Sequence, residues 1–296
     1  MTNLLKYILL ITIVFASCGK KQETPKKQVP VDKDIHDEII IGMTPTLDCL
    51  PLYLAYDREW TKEAKVPLKI VHFTAHMDID AAFLKHSIDG AFTDIIRTEY
   101  ATKKYGMKFN YITSTELSWR LVANKDTRLT RMEQLGDKMV AMTRFSATDN
   151  LTDLAFKDVK TKAQVFRVQI NDIGVRYGMI MNNLMDSGWL PEPYATQAIM
   201  AGHRLLKTPI NRDKFGVLAF RATYANKDEN KPLITQIETI YNRACDSINK
   251  YGIKSYADVI KKHCHADTAT VNHLPNIVFT HIEKPDEELI QKARIY

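Results

Sequence analysis

Cysteine is scarce in this chain, with four residues among 296. One of them, Cys18, directly follows an apolar N-terminal segment, which leaves Cys49, Cys245 and Cys264. Three thiols cannot all pair with one another, so the sequence predicts no disulfide framework, and a chain of this length does not need one to hold a core together. Cys245 and Cys264 are close enough in sequence to bridge, and at this stage whether they pair stays open.

Several other patterns that indicate a particular chemistry are also absent from the sequence. There is no glycine-rich phosphate-binding loop, and the nine histidines show no metal-ligand spacing. In the triplet His263-Cys264-His265, adjacent side chains on a helix would point about 100° apart, which does not suit a zinc site. No nucleophile and base stand out as a pair, and no short-period repeat occurs. We therefore expect no metal, no cofactor and no enzymatic activity.

Neither sign of charge dominates the chain. The 41 Lys and Arg residues against 35 Asp and Glu residues give a net charge of +6, and no basic stripe occurs beyond the N-terminal tail. Nucleic acid is therefore not predicted as a partner. The content of apolar residues (45%) and of charged residues (26%) is that of a globular protein.

Long apolar runs are missing too, and the N-terminal run Tyr7–Ala16 is too short to span a bilayer. Lys6 precedes this run and small residues follow it, which is the pattern of a secretory signal peptide over residues 1–17. Phe15-Ala16-Ser17-Cys18 also resembles the bacterial lipoprotein box, in which the cysteine becomes the lipidated first residue. We therefore expect a lipid on Cys18, with a plain secretory signal as the alternative.

Residues 18–38 contain two prolines, many charges and few large apolar side chains. This composition predicts a disordered tether. Such a tether would hold the folded part close to a membrane surface.

From Ile39 onward the sequence alternates between strand-like and helix-like segments. Ile39–Ile41 predicts a buried strand, and Thr46 or Asp48 could cap the helix that follows it. A run of such units predicts an α/β fold with largely parallel sheets. Further predicted strands include 67–74, 89–93, 108–113, 119–124, 138–143, 164–170, 187–190, 204–206 and 215–221 with Tyr224.

Two similar α/β runs before a helical tail predict two lobes joined by a two-strand hinge. We expect lobe I to comprise residues 39–124 and 221–296, and lobe II to comprise residues 125–220. The expected crossovers lie near Asn124–Arg128 and Phe220–Asn226.

Four segments together resemble periplasmic substrate-binding proteins of the nitrate/sulfonate/taurine ABC-transporter type, whose fold the thiamine-pyrimidine synthases share. They are IIIGMTPTLDCLPLYLAYDREW, DGAFTDIIRTEY, RLVANKDTRLTRMEQLGDKMVAM and GWLPEPYATQA, in that order between Ile39 and Asn226. The resemblance implies two Rossmann-like lobes, the type II periplasmic-binding-protein architecture, that close over a small molecule. It also implies an ABC transporter permease as partner, a monomer, and a location in the bacterial cell envelope. A thiamine-pyrimidine-synthase-like enzyme is the alternative, although the cysteine-rich cluster of those enzymes is absent here.

Loops at the strand ends supply the predicted ligand-binding residues, because ligands of open α/β sheets bind there. From the first run we expect Thr44, Pro45, Asp48, Thr74, Thr93 and Asp94, with Trp119 at the start of the hinge strand. From the second run we expect Arg144, Phe145, Ser146, Ala147, Thr148, Glu192 and Tyr194. Asp94 and Thr148 have an alternative role as helix caps, and the Pro191-Glu192-Pro193 turn has one as a rigid scaffold.

The sequence leaves the charge of the ligand open. Arg97, Arg120 and Arg144 would suit an anion such as nitrate, a sulfonate or taurine. Asp48, Asp94 and Glu192 would suit a cation or a heterocycle with N–H donors. Aromatic residues beside both sets favour a flat heterocycle, such as a thiamine-precursor pyrimidine.

Overall fold

The isoleucine run after the tether forms a strand, Ile39–Met43, in which every residue is buried. The computed structural model describes residues 38–208 and 215–296. The predicted signal peptide, Cys18 and all of the tether except Glu38 lie outside the described residues. Within those residues, no helix is both long enough and apolar enough to cross a membrane.

The secondary structure alternates between strands and helices, as the sequence predicts. The strands are β1 (Ile39–Met43), β2 (Leu68–His72), β3 (Gly90–Asp94), β4 (Phe109–Ser114), β5 (Trp119–Ala123), β6 (Met139–Met142), β7 (Phe166–Gln169), β8 (Ser187–Pro191), β9 (Arg204–Leu205) and β10 (Gly216–Arg221). The first helices are α1 (Leu50–Asp57), α2 (Trp60–Glu63), α3 (His76–Leu84), α4 (Ile95–Tyr105), α5 (Ala147–Phe156), α6 (Ile173–Met181) and α7 (Tyr194–Met200). The last are α8 (Ala222–Ala225), α9 (Lys231–Tyr251), α10 (Ala257–Cys264), α11 (Thr268–His273) and α12 (Glu287–Ile295). Short 3₁₀ helices occupy Leu47–Cys49, Lys125–Thr127, Met132–Leu135 and Ile253–Tyr256.

Two five-stranded sheets organise these elements, with the strand orders β2-β1-β3-β10-β4 and β7-β6-β8-β5-β9. We call the first sheet with α1–α4 and α8–α12 the first lobe, and the second sheet with α5–α7 the second lobe. Each sheet has three parallel strands, β2-β1-β3 and β7-β6-β8, and a fourth strand that pairs antiparallel with the third. The predicted α/β class with two lobes is therefore confirmed, and the sheets are mixed rather than largely parallel.

Strand pairing puts the two passages between the sheets earlier in the chain than expected. The first passage is residues 115–118, between β4 and β5, and the second lies between β9 and β10. Both β5 and β10 are extended apolar segments beside a passage, and their sequence does not tell which sheet they extend. The predicted division into residues 39–124 with 221–296, and 125–220, remains a prediction.

The two passages lie against each other. The Thr115 N–H donates to the Gly216 carbonyl at 2.8 Å. A Cβ atom on Gly216 would stand only 2.2 Å from Thr115 Oγ1 and 2.4 Å from Leu117 Cβ. Only glycine permits this approach of the two backbones, so Gly216 fixes where the lobes are joined.

Local signals explain most of the element ends. Three local features, however, differ from what the sequence predicted. Gly106 ends α4 with a φ of 70°, as a helix-terminating glycine does. Neither Thr46 nor Asp48 caps a helix with its side chain. Tyr224 lies in α8 and not in a strand, and α11 was not predicted.

Buried apolar residues continue from one lobe to the other next to the passages. One cluster contains Ile95 and Val217 of the first lobe together with Leu121 and Trp189 of the second. A larger cluster packs α1, α9 and α10 on one face of the first sheet. The shared core lies on the passage side, and the loops at the strand ends form the other wall of the space between the lobes.

Candidate functional site

Loops that follow parallel strands in the two lobes face each other and touch. The Leu47 N–H donates to the Glu192 carbonyl, and the Ile173 N–H donates to the Thr74 carbonyl, each at 3.1 Å. The side chain of Thr74 is exposed, so this predicted site residue contributes its backbone to the contact between the lobes. The lobes are therefore in a closed arrangement.

A cavity of about 530 Å³ lies between these loops. This volume falls within the range of small-molecule sites, roughly 300–1,000 Å³. Its lining comes from both lobes and from the C-terminal segment, namely Leu47, Asp48, Glu116, Leu117, Ser118, Trp119, Arg120, Leu151, Trp189, Pro191, Glu192, Thr208, Pro275, Asn276, Ile277, Val278 and Thr280. Three of the predicted ligand-binding residues, Asp48, Trp119 and Glu192, therefore share one cavity.

The loop after β1 uses most of its own polar groups. The Thr44 hydroxyl bonds to the Thr46 hydroxyl at 2.8 Å, and the Thr44 carbonyl accepts from the Tyr53 hydroxyl at 3.0 Å. Thr44 and Pro45 are both buried. These two predicted site residues shape the loop and hold it against α1.

Asp48, in the same loop, is different. One carboxylate oxygen accepts from the Thr115 hydroxyl at 3.2 Å, while Oδ1 is buried and has no hydrogen-bond partner. Burial raises the pKa of this carboxyl, and the nearby His76 imidazole acts in the opposite direction. A buried acceptor without a partner costs roughly 1–3 kcal/mol, so Asp48 is a position where a ligand donor would be stabilised.

Thr93 and Asp94, at the end of β3, form a second such position. Asp94 caps α4 by accepting from the Arg97 N–H at 2.8 Å, while its Oδ2 and the Thr93 hydroxyl are buried without a hydrogen-bond partner. His76 Nδ1 lies 3.6 Å from Asp94 Oδ2. Asp94 is therefore a helix cap and an unpaired acceptor at once, which the sequence had presented as alternatives.

Trp119 belongs to the second lobe and lies next to His76 of the first lobe. It is the first residue of β5 and pairs across the sheet with Pro191. Its ring meets the His76 ring edge-on, with centroids 6.1 Å apart, and the Arg176 guanidinium lies 5.6 Å from the indole centroid. The indole N–H is buried and donates to no group among the described residues.

The turn after β6, by contrast, satisfies its own polar groups. Ser146 caps α5 by accepting from the Thr148 N–H at 3.1 Å and donates to the Thr143 carbonyl at 2.7 Å. The Thr148 hydroxyl accepts from the Thr143 N–H at 2.9 Å. Thr148 and Ala147 lie inside the helix, and the cap expected of Thr148 is supplied by Ser146.

Arg144 and Phe145 lie on the rim of the contact between the two lobes. Both side chains are exposed, and their carbonyls accept from Arg97 Nη1 at 3.1 and 3.2 Å. Phe145 stacks on Tyr100 of the first lobe with ring centroids 4.6 Å apart. In the closed arrangement these two predicted site residues join the lobes.

Glu192 lies in a turn whose Glu192–Pro193 peptide bond is cis. One of its oxygens accepts from the Thr196 N–H at 3.1 Å, and the other, Oε1, lies 3.3 Å from Arg120 Nε without a geometrically proper hydrogen bond. Burial raises the pKa of the neighbouring Tyr194 phenol to about 12, so this hydroxyl stays protonated at neutral pH. Glu192 thus offers one oxygen to the cavity beside a cation.

Solved structures provide the comparison. The alkanesulfonate-binding protein SsuA from Xanthomonas axonopodis pv. citri, bound to MOPS, superposes with a TM-score of 0.72 at 16% identity, over 86% of this chain and 89% of that chain. The nitrate-binding protein NrtA from Synechocystis PCC 6803 gives 0.65 at 13% identity, over 83% and 74%. A Candida albicans protein described as having the generic periplasmic binding protein fold gives 0.64 at 9% identity, over 87% and 94%.

The chain has the periplasmic-binding-protein fold. The resemblance predicted from the sequence is thereby confirmed for the fold, because sulfonate- and nitrate-binding proteins are among the structural neighbours. No protein-family model matches the chain, and no curated protein sequence matches it.

Sequence reasoning missed several residues around the cavity of this periplasmic-binding-protein fold. His76 was missed although it follows the loop after β2, where a strand-end signal was present. Arg176 was missed because α6 had the pattern of a core helix, yet its guanidinium is buried behind Trp119. The segment 275–280 gave no signal, because it is an irregular stretch far along the chain from the other lining residues.

The three cysteines among the described residues are not placed to react as thiolates. Cys49, Cys245 and Cys264 are all buried free thiols. Burial raises the pKa of each, that of Cys245 to about 12, so none is a thiolate at neutral pH. Over residues 38–208 and 215–296, no group of three or more His, Cys, Asp and Glu residues is arranged to hold a metal ion.

Proposed function

We propose that this chain is a lipid-anchored substrate-binding protein of an ABC importer that captures a small molecule between two closing lobes. The cavity of about 530 Å³ carries the proposal, because both lobes line it and it receives buried polar groups that lack a partner. The names of the structural neighbours, binding proteins for sulfonate and nitrate, support the same class of function.

The proposed ligand contacts come from both walls. Asp48, Thr93 and Asp94 would bind from the first lobe, and Trp119, Glu192 and Tyr194 from the second. A ligand that bonds both sets is fully bound only when the lobes are closed. It therefore favours the closed state in proportion to its difference in affinity for the two states.

The adjacent passages suit a hinge for that movement. Residues 115–118 meet the second passage at Gly216, so a small backbone rotation there would separate the loops on the far side. An ABC permease would then recognise the closed form. We propose a monomer, because one chain supplies both walls of the cavity.

The proposed location is the bacterial cell envelope, with the protein held by a lipid on Cys18. The signal pattern in residues 1–17 supports this anchor. Cys18→Ser should release the protein from membranes or block its processing, which fractionation followed by immunoblotting would reveal. A Cys18→Ser protein of mature size that stays in the membrane fraction would contradict the anchor.

Uptake tests the function itself. We would purify the full-length chain from its own host, identify the co-purified small molecule by mass spectrometry, and measure its uptake in cells that lack the gene. Loss of high-affinity uptake, restored by the wild-type gene, is expected. Wild-type uptake of that molecule in the deletion strain would contradict the importer function.

A further inference from the structure

Two buried carboxylates that line the cavity, those of Asp48 and Glu192, retain an oxygen without a hydrogen-bond partner among the described residues. Their side chains are 3% and 5% exposed. Glu192 has Arg120 beside it at 3.3 Å. Asp48 has the imidazole of His76 within electrostatic range.

Three acids, Asp48, Glu116 and Glu192, line the cavity with one arginine, Arg120, which lies beside Glu192. The other arginines that could bind an anion are engaged elsewhere. Arg97 pairs with Asp80 and donates to the carbonyls of the rim residues Arg144 and Phe145, which leaves only its Nε without a partner. The Arg144 side chain is exposed on the rim.

Arg176 is engaged as well, although it lies behind Trp119. Its guanidinium donates to the carbonyls of Ile170 and Trp189 and to the Thr143 hydroxyl. Each of its three guanidinium nitrogens therefore already donates to a group of its own lobe, so Arg176 is not available to a ligand.

The structure assigns a charge to the ligand: we propose that the cavity binds a small organic cation, whose N–H groups lie between Asp48 and Glu192 beside the Trp119 indole. This inference rests on the proposed function and names the substrate class of that same site. An anion in this position would meet two buried carboxylates, and the nearby Arg120 already lies beside one of them, Glu192. A flat cation would instead pair with both carboxylates and gain from the aromatic face.

Two pairs of probes with the same shape and opposite charge test the proposal. Guanidinium and nitrate are both small trigonal planar ions, and benzamidinium and benzoate share one ring. Isothermal titration calorimetry of the full-length chain, at constant ionic strength, should show each cation binding about tenfold or more tightly than its anion, as expected for charged hydrogen bonds.

Variants then locate the binding. Asp48→Asn and Glu192→Gln should each weaken benzamidinium binding about tenfold or more, since each removes one charged acceptor. Both replacements keep the shape of the side chain and can still accept the bonds from the Thr115 hydroxyl and the Thr196 N–H. Asp78→Asn, an exposed acid in the first turn of α3, is the matched control and should bind benzamidinium like wild type.

Three results would overturn the proposal: equal or tighter binding of the anions, no binding of either cation, or unchanged benzamidinium affinity in both Asp48→Asn and Glu192→Gln. Anion binding together with a fall in the radius of gyration in solution scattering would overturn the cation class and leave the substrate-binding function intact. The expected cation pattern with wild-type uptake in the deletion strain would instead leave the cation site and refute the importer.

Discussion

The turns after β3 and after β6 both follow parallel strands, one in each lobe, yet they treat their polar groups differently. After β3, Asp94 uses one oxygen as a helix cap and keeps the other without a partner, and the Thr93 hydroxyl has no partner either. After β6, Ser146 and Thr148 bond to the backbone of Thr143 and to each other. The turn after β3 therefore keeps polar groups that a ligand could bind. The hydroxyls of the turn after β6 already bond within that turn.

Position at the end of a parallel strand therefore does not ensure a ligand contact in this fold. A hydroxyl that already bonds to a nearby N–H or carbonyl gains little from a ligand, because binding would only exchange partners. A buried acceptor without a partner gains its full hydrogen bond. Counting the unpaired atoms separates the two turns, although both follow a parallel strand.

Removal of Arg176, which donates to Thr143 at the satisfied turn after β6, should have the largest effect. Arg176→Met leaves the Ile170 and Trp189 carbonyls and the Thr143 hydroxyl without their buried donor. We expect the free energy of unfolding to fall by about 3 kcal/mol, because each unsatisfied buried group costs roughly 1–3 kcal/mol and removal of the buried charge offsets part of the sum. Urea denaturation followed by circular dichroism measures this change.

Arg167→Met is the matched control for that experiment. Arg167 is also in the second lobe and pairs with Asp149 and Asp153, but its side chain is about a third exposed (34%). Exposed ion pairs contribute roughly 0–1 kcal/mol. Equal stability of the two variants would mean that the Arg176 hydrogen bonds do not hold the second lobe together.

Much of this arrangement was readable from the sequence, because periodic apolar segments fix the elements and the direction of each parallel strand. The turns at Thr93-Asp94 and at Ser146–Thr148 were both located correctly at strand ends. Which of them keeps unpaired atoms depends on distances of a few tenths of an ångström between side chain and backbone. Residue types alone do not carry that information.

Long-range contacts were likewise outside the reach of pattern reasoning. Thr115 meets Asp48 across 67 positions of the chain, and segment 275–280 joins the same cavity from further still. Asp48 was selected as a helix cap or ligand contact, and only its burial without a second partner distinguishes it from the capped and hydrated aspartates elsewhere. The sheets to which β5 and β10 belong were not readable from the sequence for the same reason, since strand pairing is set by partners distant in sequence.

Asp48→Asn changes a buried carboxylate with an unpaired oxygen, and its expected effect on stability is smaller and of opposite sign. Burial raises the pKa of Asp48 above the value of 3.8 typical of a free aspartate, so the folded chain holds this proton more tightly than the unfolded chain does. The stability due to that proton is fully present below pH 3.8 and is lost as the pH rises through the folded-state pKa.

Asparagine carries no charge to bury and can still accept from Thr115. Without ligand, Asp48→Asn should therefore unfold like wild type near pH 4 and be more stable at pH 7, by about 1–2 kcal/mol. Thermal unfolding at both pH values measures the difference, with Asp78→Asn as the exposed control. A destabilised Asp48→Asn at pH 7 would show that Oδ1 has a partner in solution, and the contrast between Asp48 and the turn after β6 would then disappear.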